Sequence, residues 1–205
     1  MKIILTLGFD EKFAVRSLIR NSLVEGDEVY VLLSENGDPR AEKAFSNLKE
    51  FVNKAFDNVK IERIAVPMDN FGLAVNKLRS FLRGLGIGDK ILNLSGGQRI
   101  LVVALLVASS SLDLDLDVEI ETEDSKSVHR FPLSLFKAQN LDSLDLKILE
   151  FLSKNNCTIG EISVATGTSR PTVWRRLEKM TMLGLVNKLD KGRYSISELG
   201  LSQIG

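Results

Sequence analysis

Leu94-Ser95-Gly96-Gly97-Gln98-Arg99 gathers the densest binding chemistry in this 205-residue chain. Two adjacent glycines let backbone N–H groups approach a ligand, Ser95 and Gln98 add side-chain hydrogen bonds, and Arg99 adds a cation. The segment follows one apolar run and opens another, the pattern of a strand feeding a helix whose N-terminus favours an anion. Gly8-Phe9-Asp10 follows the first apolar run in the same way. In an open α/β sheet the loops after parallel strands lie on one side. Gly8, Phe9 and Asp10 are therefore expected to share a ligand pocket with Ser95, Gly96, Gly97, Gln98 and Arg99. Phe9 offers a ring for stacking on a base, or else belongs to the core. Ser34, Glu35 and Asn36 end the second strand on that side too.

Several chemistries are set aside on context. Leu94 to Gln98 matches the LSGGQ motif of ABC-type ATPases letter for letter, but such an ATPase also needs GxxxxGK[ST], and no Gly-Lys pair occurs in the chain. No GxGxxG supports a dinucleotide. One cysteine, Cys157, excludes an intrachain disulfide, and with one histidine, His129, it excludes a zinc finger, so no metal is expected. Cys157 precedes Thr158 near a helix start, a setting that lowers a thiol's pKa. Its pairing with His129 would require two domains to meet. The carboxylates between 113 and 124 read as one solvated face. No catalytic constellation emerges.

The elements that must position these residues come in two series. Runs at 2–7, 28–33, 59–66 and 90–94 are apolar nearly throughout, and helical spacing fills 11–24, 40–56, 70–85 and 98–109. Strands alternating with helices of this kind make βαβ units and a parallel sheet buried on both faces, a Rossmann-like α/β domain. From 113 to 121 strict alternation sets Leu114, Leu116, Val118 and Ile120 against Asp113, Asp115, Asp117, Glu119 and Glu121. Period two with one charged face predicts a strand at the sheet border, and 127–131 a returning antiparallel strand. The domain is expected to span 1–132, with a linker over 133–140.

From 141 to 205 the helices shorten. Leu144, Ile148, Leu149 and Leu152 share a face, Thr158 and Glu161 make a capping box, and Ser169 with Pro171 opens a helix over 170–183. Two short strands around Asp190-Lys191-Gly192 form a hairpin. Three helices and a hairpin, with the third helix basic, is the layout of a winged helix-turn-helix. The formal net charge is zero, with 27 basic and 27 acidic residues, but 169–193 holds seven basic residues and two acidic ones. Phosphate backbones attract such a stripe. Ser169, Arg170, Thr172 and Arg176 are expected at base edges, and Arg175, Lys179, Lys191 and Arg193 at phosphates. The first apolar run is too short for a secretory or membrane-spanning segment, so a soluble cytoplasmic protein is expected.

Leu7 to Phe13, Asp69-Asn70-Phe71-Gly72-Leu73-Ala74 and Asn93 to Arg99, in that order, resemble the CARF domains of CRISPR-associated proteins. With the added C-terminal module the chain resembles archaeal CRISPR-associated transcriptional regulators. The resemblance implies a homodimer that binds cyclic tetra-adenylate across its two-fold axis and promoter DNA through its winged domains, with no other cofactor. The loops Gly8–Asp10 and Ser95–Arg99 would then hold the phosphates and bases of the ring. An alternative in another class is a metal-independent ring nuclease that cleaves the cyclic oligoadenylate, with Ser95 and Arg99 as its catalytic pair.

Overall fold

The computed structural model describes residues 1–136 and 140–204, and the chain divides into two compact units, Met1–Phe136 and Lys137–Gly205. The first unit runs β1 (Lys2–Thr6), α1 (Lys12–Arg20), β2 (Glu28–Ser34), α2 (Pro39–Ala55), β3 (Lys60–Val66), α3 (Phe71–Gly84), β4 (Lys90–Asn93), α4 (Arg99–Ser110), β5 (Asp117–Glu121) and β6 (Val128–Pro132). The sheet order is β3-β2-β1-β4-β5-β6, parallel except for β6, so the expected Rossmann-like class is observed. Ile3, Ile4 and Leu5 on β1 are wholly buried because one core lies on each sheet face. Ile4, Leu32 and Leu92 join α3 and α4; Ile3, Leu5 and Ile91 join α1 and α2.

Several expectations change. Helix α1 stops at Arg20 rather than Val24, since Ser22 turns the chain with φ +48. The alternating segment becomes a strand only from Asp117, and β5 lies between β4 and β6 rather than at the border. Parallel register pairs Ile91 with Asp117, which would set 113–115 beside the Gly86–Gly88 turn, where both glycines have positive φ and no ladder can form. Leu112 and Leu116 are nevertheless buried against the core. The charged face is solvated only in part: Asp113, Asp115, Glu123 and Asp124 are exposed, whereas Glu119 and Glu121 are 1% and 4% exposed. Leu133, expected to open the linker, is wholly buried in a 3-10 turn of the first unit, Leu133–Phe136. Residues 137–139 of that linker lie outside the described residues.

The second unit runs α5 (Ser143–Leu152), β7 (Cys157–Thr158), α6 (Ile159–Thr166), α7 (Arg170–Met182), β8 (Val186–Lys188), β9 (Arg193–Ile196) and α8 (Glu198–Leu201). Thr158 and Glu161 form the expected capping box on α6, which ends at Gly167 in left-handed backbone with φ +65. Ser169 occupies the N-cap of α7 but its hydroxyl meets the Thr172 hydroxyl at 3.0 Å instead of a backbone N–H. The hairpin β8–β9 gains a third strand, β7, that two residues could not announce in the sequence. Ile148, Leu149, Ile162, Val173, Leu177 and Tyr194 close the core.

Candidate functional site

The loops after β1 and β4 lie at the point where strand order reverses, the place where open α/β sheets leave a crevice. There they meet. A cleft of about 290 Å³ is lined by Gly8, Phe9, Asp10, Phe13, Ser95, Gly96, Gly97 and Gln98. Arg99 is exposed in the first turn of α4 and outside the lining, and Phe13 is a lining residue that the sequence reading missed.

Glycine is needed here for packing. A Cβ on Gly97, whose φ is +90, would lie 2.8 Å from Thr6 Cβ, and one on Gly8 would lie 3.2 Å from Gly97 N. Thr6 Oγ1 donates to the Gly96 carbonyl at 2.5 Å. The two loops therefore touch backbone to backbone, which fixes the cleft floor. Phe9 is half exposed, so it is not a core side chain, and the Arg40 guanidinium lies 3.8 Å from its ring centroid. Asp10 binds Lys12 at 2.9 Å, and hydrogen bonds from Lys12 hold its carboxyl below the usual range.

Behind the Gly-rich loop lies a buried polar network that alternation had disguised as a wetted face. Asn93 Nδ2, Ser17 Oγ and Arg20 Nη2 donate to Glu119 Oε1 at 2.9, 2.6 and 2.9 Å. Asn21 Nδ2 donates to Glu119 Oε2 at 3.2 Å. Burial pushes the Glu119 carboxyl up, but these four partners together hold it below its ordinary value. Arg16 pairs with Glu121 at 2.6 Å. Ser95 Oγ, a catalytic candidate only in the nuclease alternative, accepts from the Glu121 backbone N–H at 2.9 Å. The missed signal was available: α1 carries Arg16, Ser17 and Arg20 on one helical face, with Asn21 at its C-cap, opposite a strand with two glutamates.

In the second unit, Ser169, Arg170, Arg175, Lys179, Lys191 and Arg193 are exposed, and Thr172 is partly so. Arg176 departs from its expected place at a base edge. Its guanidinium binds Asp142 Oδ2, at the N-cap of α5, at 2.7 Å and Asp145 Oδ2, in its first turn, at 3.2 Å, and Asp145 is wholly buried. Arg176 stands three residues after Val173 and four before Met180, at the border of the buried face, so it faces α5. Lys179 Nζ also reaches Asp145, at 3.4 Å. Arg193 Nη1 donates to the Asn156 carbonyl at 2.8 Å. Among the described residues no carboxylate pairs with Arg170, Arg175 or Lys191, in contrast to Arg176 and Lys179.

Cys157 is buried, and burial raises its thiol pKa, the reverse of the expectation from its place near a helix start. His129 is exposed on β6. No helix among the described residues is long and apolar enough to cross a membrane.

Two family models match the chain. One, described as the Csa3 CRISPR-associated Rossmann-like domain, covers residues 1–132. The other, described as winged helix-turn-helix DNA-binding, covers residues 141–187. No curated protein matches.

Proposed function

We propose, for a chain that belongs to the Csa3 CRISPR-associated family and carries a winged helix-turn-helix DNA-binding domain, a transcriptional regulator of CRISPR-Cas genes, working in the cytoplasm in antiviral defence, whose affinity for duplex DNA responds to a cyclic oligoadenylate. The observation that carries this reading is the meeting of the loops Gly8–Asp10 and Ser95–Gln98 in one cleft at the reversal of strand order. A cyclic tetra-adenylate is an anion with flat bases and two-fold symmetry. The N-terminus of α4, with exposed Arg99, suits its phosphates, and the half-exposed ring of Phe9 suits a base.

A single cleft is small for a ring of four nucleotides, whereas two copies about a two-fold axis would present matched halves. Helix α4 supports such a dimer. Ile100, Val103 and Val107, at spacings of three and four, are 46%, 48% and 41% exposed along one stripe beside the cleft. Two winged domains held by one dimer would read a pseudo-palindromic site, and the ring would alter DNA affinity by favouring one dimer geometry.

The test is selection from a random duplex pool with the purified chain, followed by anisotropy on the enriched duplex with and without cyclic tetra-adenylate. A pseudo-palindrome whose affinity changes with the ring is the expected result. Failure to enrich any sequence would overturn the regulator, and an enriched site indifferent to the ring would overturn its ligand.

A further inference from the structure

We propose that Trp174 packs its indole against the sugar-phosphate backbone of DNA, on the strand that runs between α7 and the β8–β9 wing. The proposal rests on the DNA-binding reading of the second unit. The inward face of α7 closes without this residue, since Val173, Leu177 and Met180 are wholly buried. Trp174 is 50% exposed and borders a groove of about 630 Å³ between the first turn of α7 and the wing tip. Arg170 and Pro171 form one wall, Lys191 and Gly192 the other, and Gly160 lies beneath. A Cβ on Gly160 would lie 3.5 Å from the Arg170 guanidinium, an ordinary contact distance, so Arg170 lies over this residue at the groove's edge.

The occupant follows from the order of chemistry across the groove. A cation at each rim with a large apolar ring between them matches phosphate, sugar, phosphate along one DNA strand. Arg170 and Lys191 are exposed and have no carboxylate partner among the described residues, so both are available to phosphates. Trp174 lines the groove that the wing closes, whereas Arg175, about 100° further round the helix, is not among its lining residues. The contact removes apolar surface from water without neutralising charge. It therefore raises affinity for all sequences alike and leaves the salt dependence to the cations.

Trp174 is the chain's only tryptophan, so its fluorescence reports this site alone. The full chain is titrated with a mixed-sequence DNA duplex while tryptophan emission and acrylamide quenching are followed. Binding should shift the emission to shorter wavelength and shield the indole from acrylamide. Trp174→Ala should weaken duplex binding about tenfold with an unchanged slope of log K against log salt, and Trp174→Phe should lose less. Lys191→Ala should reduce that slope by about 0.9. A duplex that binds while the indole stays equally open to acrylamide overturns the proposal. So does a folded Trp174→Ala that binds the duplex as tightly as wild type or more tightly. Shielding that grows with protein concentration in the absence of DNA would assign the face to a second copy instead. If no duplex binds the unaltered chain, the DNA-binding reading fails first and takes this proposal with it.

Discussion

Asn93 and Glu119 face each other across the β4–β5 ladder, both buried, and the Asn93 amide donates to Glu119 Oε1 at 2.9 Å. Asn93 Oδ1 also accepts from the Ser95 backbone N–H at 3.2 Å, and the Ser95 hydroxyl accepts from Glu121 N–H. The Gly-rich loop is thus tied to β5 at two points before any ligand arrives. On its other side it is pressed against Thr6 and Gly8. A ligand at such a loop would meet little ordering cost, because the loop's geometry is already set.

Glu119 should give stability a dependence on acid. Its carboxyl is lowered on folding despite burial, so its contribution is complete above the ordinary carboxylate range and fades as pH falls through the folded value. Thermal midpoints of the wild type should therefore drop on acidification below about pH 5. Glu119→Gln should flatten that decline while costing about 2 kcal/mol at neutral pH, since Arg20 and Ser17 lose their charged acceptor. Parallel pH profiles for the two proteins would contradict this.

Gly97→Ala should destabilise the first unit by about 2 kcal/mol or more. The added methyl meets Thr6 Cβ at 2.8 Å, and alanine disfavours a φ of +90. Gly26→Ala is the control: its φ is +85 but nothing lies within 4 Å, so it should cost about 1 kcal/mol. Denaturant midpoints distinguish the two, and equal losses would mean that the loop contact with Thr6 is unimportant.

Arg176→Ala should act first on folding and only through it on DNA. Removing the guanidinium leaves the buried Asp145 carboxylate with Lys179 as its remaining cation, a loss of about 3 kcal/mol. Adding Asp145→Leu to Arg176→Met should restore most of it. Arg170→Ala and Arg175→Ala should leave the melting temperature nearly unchanged and each lower the salt slope of duplex binding by about 0.9. A stable Arg176→Ala with specific loss of DNA affinity would return that residue to the base-reading set.

The sheet, both units and the two cleft loops were legible because apolar runs, helical spacing and glycine pairs are local signals. The partners of charged residues were not. Arg176 reads as an exposed cation in a basic stripe, and only the packing of α5 on α7 brings Asp145 to it. Glu119 reads as solvated because alternation marks two faces without telling which neighbour covers the polar one. Here α1 covers it, with Arg20 and Asn21. Trp174 has the residue type of a core side chain, whereas its angular position on α7 turns it to the wing.

The central claim is a ring-shaped anion bound between two copies of the cleft. Calorimetric titration of the purified chain with cyclic tetra-adenylate, beside a linear tetra-adenylate control and with the cell contents checked for cleavage, tests it most directly. The account predicts one intact ring bound per two chains and much weaker heat from the linear form. No heat from the ring, or one ring per single chain, would contradict it.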